Sequence, residues 1–273
     1  MQNPSAAVAG TLEVPGARLY YEIRGQGPLV VLVGAPMDAR PFAPLAELLA
    51  SDHTVLTTDP RGINRSPVAN PGQDSTPELR AGDIARLVSH LDAGPAAVLG
   101  SSGGAVSALA LAQAHPGQAH TVVAHEPPLV ELLPDRAALH AGMDEVTARW
   151  QAGDHAGSFQ VFMDTAGFPL PPGAAQAMFA EPDPQDLADA TFQNTHMLHP
   201  TAGWQPDLAA LRAGSTRVVV GIGEASAGQL CDRASRALTA ALGTEPVLFP
   251  GGHTGFAEDP AAFALRLRPL LDR

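Results

Sequence analysis

Residues 96–106 read Ala96-Ala97-Val98-Leu99-Gly100-Ser101-Ser102-Gly103-Gly104-Ala105-Val106. A short apolar run suited to a buried strand enters Gly-Ser-Ser-Gly-Gly and leaves as a small-residue helix pattern that continues to about residue 115. The Gly-x-Ser-x-Gly pattern is weak as a string of letters. Its place between a strand and a helix gives it meaning, because a tight turn there would lift Ser102 above the carboxyl edge of a sheet. In such a turn, side chains at positions 100, 103 or 104 would collide with neighbouring strands, so small residues are required. The competing reading is a plain helix start in which Ser101 or Ser102 serves as the N-cap.

Working outward, short apolar strands alternate with helical spacing on both sides of this turn. Residues 11–14 and 17–24 read as a hairpin around Pro15-Gly16, and 28–33, 53–58, 96–99 and 120–124 as strands. Helices are expected at 41–50, 76–91 and 103–115. Strands apolar on both faces and separated by helices predict a mostly parallel, eight-stranded α/β sheet with helices on both faces. The pattern breaks after residue 127: proline clusters lie among helical stretches, with no convincing strand until 216–222. A helix at 229–242, a strand at 245–249 and a helix at 260–271 then complete the sheet domain. The predicted organisation is a core of residues 1–127 and 213–273, interrupted after the sixth strand by a helical cap of residues 128–212. The cap region holds both tryptophans, five of nine phenylalanines and four of six methionines. Each can pack its own helices; as a group they suggest an apolar roof over a cleft, with Trp150, Phe162, Met178 and Trp204 as candidate substrate contacts.

The chain has 273 residues, no Lys, 16 basic residues that are all Arg, 28 acidic residues, and a net charge of -12. The acidic balance argues against nucleic acid or an anionic membrane as partner. The missing amine excludes Schiff-base, pyridoxal-phosphate and P-loop chemistry. A lone cysteine, Cys231, excludes an intramolecular disulfide and a thiolate metal cage, and its helical setting suggests a small buried hydrophobe. Residues 1–10 lack a basic region followed by an apolar run, and no stretch of 18 apolar residues occurs. These features predict a soluble, cytoplasmic protein.

A serine hydroxyl needs a base, and ten histidines are available. His253 stands out in Pro250-Gly251-Gly252-His253-Thr254-Gly255, a glycine-rich loop between the last strand and the last helix. His125, at a strand end, competes with it. The base needs an acid, and two positions compete: Glu126, at the end of the sixth strand before Pro127-Pro128, and Glu224, after the seventh. The strand end favours Glu126; its other reading is a structural ion pair. An oxyanion hole requires two backbone N–H groups. Val33-Gly34-Ala35-Pro36-Met37 offers Ala35 or Gly34, since Pro36 has none, and Gly103 follows the serine.

The serine turn, the Gly-Ala-Pro turn, the late histidine and the segment Asp59-Pro60-Arg61-Gly62-Ile63-Asn64-Arg65-Ser66 together resemble the α/β-hydrolase superfamily. In that family the Asp-x-Arg-Gly segment is structural, which implies the same for Asp59 and Arg61. Glu126 in its His-Glu-Pro setting and the Pro-Gly-x-His loop are similar to the fungal zearalenone lactone hydrolases, whose triad acid is a glutamate after the sixth strand. The likeness departs in the oxyanion turn and in the cap. It implies a serine hydrolase of a carboxylic ester or lactone, a zearalenone-like macrolactone among the candidates, with Ser102, His253 and Glu126 as triad and Ala35 and Gly103 as oxyanion donors. A small apolar substrate is the expected partner and a homodimer is left open; no metal or organic cofactor is implied. Carbon-carbon bond hydrolysis, cofactor-free perhydrolysis and a non-hydrolytic ligand-binding protein are the rivals, because the fold does not fix the chemistry.

Overall fold

The computed structural model describes residues 7–272, so the first part of the amino-terminal stretch read for a leader lies outside the described residues. Strands β1 (Val8–Val14) and β2 (Ala17–Arg24) form the expected hairpin. β3 (Leu29–Val33), β4 (Thr54–Thr58), β5 (Ala96–Ser101), β6 (Ala119–His125), β7 (Arg217–Gly223) and β8 (Val247–Phe249) complete one sheet of order β1-β2-β4-β3-β5-β6-β7-β8. β1 and β2 pair antiparallel, β2 joins β4 antiparallel, and every later pairing is parallel. β5 is therefore central, flanked by β3 and β6, and all six of its residues are buried. It runs two residues past the expected end and delivers the chain directly to Ser102. β8 is shorter than read, beginning at Val247, because Pro246 has no N–H to give to a ladder.

The strand alternation divides the core in two. Val31 and Val33 of β3 and Val98 of β5 face α2 (Pro77–Leu91) and α3 (Gly103–Ala114), whereas Val30, Leu32 and Leu99 face α1 (Ala43–Leu49) and the C-terminal helix. α2 begins where Thr76 accepts a hydrogen bond from the Leu79 N–H, with Pro77 in the first turn.

Among the described residues between β6 and β7 there is no strand. This segment holds α4 (Arg136–Gln151), α5 (His155–Ala166), α6 (Ala174–Met178), α7 (Pro184–Phe192), a π-helical turn (Gln193–Met197), α8 (Leu198–Ala202) and α9 (Leu208–Ala213). Its two ends are anchored in the main core: Leu129 and Leu133 before α4, and Trp204 and Leu211 near its close, are buried with residues of α3 and α10 (Leu230–Leu242). A short helix not anticipated from the sequence, α11 (Gly255–Glu258), follows the His253 loop and leads into α12 (Pro260–Leu271). No helix of the described residues is long and apolar enough to cross a membrane.

Candidate active site

Ser102 sits at φ 56° and ψ -128°, a backbone conformation that costs a non-glycine residue about 1–3 kcal/mol and must be held by its surroundings. Those surroundings are backbone atoms. A Cβ on Gly100 would lie 2.3 Å from the Gly104 carbonyl oxygen, one on Gly104 2.3 Å from that of Val33, and one on Gly103 2.5 Å from that of Ala35. The Ser102 N–H donates to the His125 carbonyl at 3.0 Å, tying the turn to β6. The Ser102 side chain caps nothing and lines a cavity. Ser101 points the other way, fully buried, with its hydroxyl 3.3 Å from His125 Nδ1.

Glu126 is also at positive φ, 54°, and its side chain is fully buried. Its N–H donates to the Gly221 carbonyl, which extends the β6–β7 ladder by one bond. The carboxylate is held at both oxygens: Oε1 accepts the Gly223 N–H at 2.8 Å, and Oε2 accepts from His253 Nδ1 at 2.6 Å. The last residue of β7 thus supplies Glu126 with a backbone donor, and Glu224 in the turn that follows is exposed. His253 is carried back over the sheet by Gly251, at φ 81°, and keeps 17% of its side chain exposed. Gly223 has no room for a side chain, since a Cβ there would meet the Gly252 carbonyl oxygen at 2.7 Å.

Burial alone would lower the His253 pKa; the sulfur of Cys231 and the Glu126 carboxylate reverse the direction and raise it. For Glu126 burial alone would raise the pKa, and its bond to His253, together with smaller contributions from His125 and Ser226, brings it below the ordinary value. His125 behaves differently. Burial pushes it down to about 4, edge-on to Phe249 and Phe263, so it stays neutral beneath the turn.

The cavity at Ser102 has a volume of about 570 Å³ and is also lined by His253, Ala35 and Gly103. The Ala35 and Gly103 N–H groups have no partner among the hydrogen bonds of the described residues. No hydrogen bond joins Ser102 to His253 among those residues either, and in unliganded sites such bonds often tighten only when substrate binds. Asp59 and Arg61 lie outside this lining. Asp59 accepts the Ala39 N–H and a two-pronged contact from Arg65, while Arg61 pairs with Asp83 at 2.6 and 2.7 Å.

Of the four apolar cap candidates, only Phe162 lines this cavity. Trp150 and Met178 line a neighbouring one, and Trp204 is buried in the main core, 6% exposed. Residues not read from the sequence as part of a site stand in it instead. The Phe168 ring lies 5.1 Å from that of His253. Cys231 is buried, as expected of a small hydrophobe, but it lines the cavity, and its sulfur lies within 4.8 Å of a His253 nitrogen and a Glu126 oxygen. Cys231 opens the second position of α10, directly after a turn, and that position was the available signal.

Comparison with known proteins bears on the family and the fold. The chain is 32% identical over 269 residues to an uncharacterised hydrolase, YraK, of Bacillus subtilis (strain 168), covering 97% of this chain and 96% of that protein. A zearalenone hydrolase of Cladophialophora bantiana is 35% identical over 117 residues, 41% of this chain and 44% of its own. Among solved structures, Est816, described as an N-acyl homoserine lactone degrading enzyme, superposes with a TM-score of 0.70 at 20% identity, covering 95% of this chain and 99% of that one. A thermophilic esterase from Thermogutta terrifontis gives 0.66 at 22% identity, covering 98% and 100%. Those two likenesses speak to the fold. The sequence profile described as the Alpha/beta hydrolase family matches residues 29–266, most of the chain, and the chain belongs to that family.

Proposed function

We propose that the protein is a serine hydrolase of carboxylic esters or lactones, with Ser102 as nucleophile, His253 as general base and Glu126 as the acid that orients it. The observation that carries this reading is the 2.6 Å bond between His253 Nδ1 and a Glu126 carboxylate held on its other oxygen by Gly223. In the neutral ring that bond keeps the proton on Nδ1 and leaves Nε2 free, the form a base needs.

In this mechanism Nε2 takes the hydroxyl proton as Ser102 Oγ attacks the carbonyl carbon. The tetrahedral oxyanion is met by the N–H groups of Ala35 and Gly103. A missing donor of that kind costs about 3 kcal/mol of transition-state stabilisation. His253 then gives its proton to the leaving alkoxide, and the same imidazole activates a water against the acyl-serine. In a lactone the leaving alcohol remains tethered to the acyl group, and hydrolysis opens the ring to a hydroxy acid. The walls around Ser102 include Met143, Phe159, Phe162 and Leu230, which suit an apolar substrate of moderate size.

The test is labelling with a fluorophosphonate, followed by hydrolysis assays on a panel of simple esters and macrocyclic lactones. Stoichiometric modification of Ser102, lost in Ser102→Ala and in His253→Ala, is the expected result. A folded protein that neither takes the label nor turns over any ester or lactone overturns the reading and favours a ligand-binding role.

A further inference from the structure

A second cavity, about 470 Å³, lies behind the first. The two share three wall residues, Phe159, Phe162 and Gln193. Phe159 and Phe162 stand three residues apart on α5 and so share one face of the helix. Further along α5, Met163 and Ala166 touch only the first cavity, so the helix is the partition between the two.

The third wall residue opens the π-helical turn Gln193–Met197, the irregularity in helices most often found at functional positions. There Gln193 borders both cavities, Asn194 the second and Met197 the first. The Gln193 side chain has no hydrogen-bond partner among the described residues. Beyond the partition the inner walls are formed by Trp150, Met178, Phe179, Leu187 and Ala190, with Asn194 as a polar group, and the aromatic residues are held in place. Trp150 stacks on His155 at 4.2 Å between ring centroids, donates its Nε1–H to Thr191 at 3.3 Å, and meets Phe179 edge-on. The outer mouth carries exposed Glu181, Asp183 and Asp186 and no basic lining residue, although Arg40 approaches Asp186 at 3.6 Å.

We propose that the second cavity is the tail subsite of the reaction at Ser102. It receives the far end of an extended, apolar acyl chain or ring whose carbonyl lies at Ser102, with Phe159, Phe162 and Gln193 setting the length that passes. The first cavity alone is the size of an ordinary small-molecule site, and the two together reach about 1,000 Å³, the upper end of that range. The acidic mouth disfavours a tail that ends in a carboxylate. The proposal rests on Ser102 being the nucleophile.

Two measurements test it and keep the two ideas apart. The first is the ratio of kcat/KM for para-nitrophenyl dodecanoate to that for the butanoate. Ala190, which borders only the second cavity, is replaced by Phe to fill it. The ratio should fall about ten-fold or more, the scale on which a few methylenes in an apolar pocket discriminate. The second reads Trp150 emission in Trp204→Phe, where it is the remaining tryptophan, after labelling with an ethyl or a dodecyl fluorophosphonate. Only the dodecyl label should shift the emission. If both probes label Ser102, Trp150 is silent to each and the ratio is unchanged in Ala190→Phe, the tail subsite is overturned and the serine mechanism stands. If neither probe labels a folded protein, the mechanism fails and the proposal with it.

Discussion

Glu126 and His253 stabilise each other's charged forms, and the sign of that coupling sets a pH dependence. The Cys231 sulfur and the carboxylate both favour the imidazolium over the opposing effect of burial, so neutral His253, the form that can accept a proton, accumulates only above the ordinary histidine value of 6.5. The acidic limb of the kcat/KM profile should therefore lie above that value. Glu126→Gln removes the carboxylate, moves the limb to lower pH, and lowers kcat by about three to four orders of magnitude. Glu224→Gln, on an exposed side chain, should change neither. A pH-rate series on the two variants checks both expectations. The competition between these acids could not be closed from the sequence, because each ends a strand beside the catalytic edge. What separates them is the positive φ of Glu126, which turns its side chain toward His253 while its N–H stays bonded to β7.

Among the elements, the β5–turn–α3 unit is the one most completely legible in the sequence, and the reason is steric. Its small residues are demanded by backbone atoms less than 3 Å from where a Cβ would sit, and backbone contacts leave a direct mark on residue choice. Gly104→Ala places a methyl of α3 2.3 Å from the Val33 carbonyl oxygen, on a strand end that the ladder holds fixed against β5. A loss of about 2–3 kcal/mol is expected, read by urea denaturation, because neither neighbour can yield. The cap helices carry no such mark. An aromatic ring on an amphipathic helix fits a cleft wall or a packed interior equally well, so Trp204 and Phe162 look alike until their neighbours are known. Phe168 has the same difficulty: it follows a helix end at Gly167 and meets His253 only through the tertiary fold.

For the molecule as a whole, the alternation of buried strands made the α/β architecture readable, and the run of helices between β6 and β7 begins where that alternation stops. The polar contacts that order the site from behind were visible only as a motif. Arg61 is 3% exposed and bonded twice to Asp83 on α2, so the pair fastens the loop after β4 to the helix layer. Asp83→Ala leaves that guanidinium buried without its counterion. The expected cost is about 3–5 kcal/mol, measured as a drop in the denaturation midpoint, with a smaller loss for the double replacement Arg61→Met with Asp83→Leu.

The end of β7 offers Glu126 a main-chain N–H, a group that every residue other than proline possesses. Gly223 itself is pinned by the Gly252 carbonyl, but the exposed positions 224 and 225 beyond it carry no side-chain duty toward His253. The proposed nucleophile, acid and oxyanion donors all precede α4 in the chain. Side-chain substitution at those two positions is therefore open to evolutionary drift while their N–H groups stay bonded to the Phe249 and Gly251 carbonyls, and the turn can acquire new substrate contacts without the charge network having to be rebuilt.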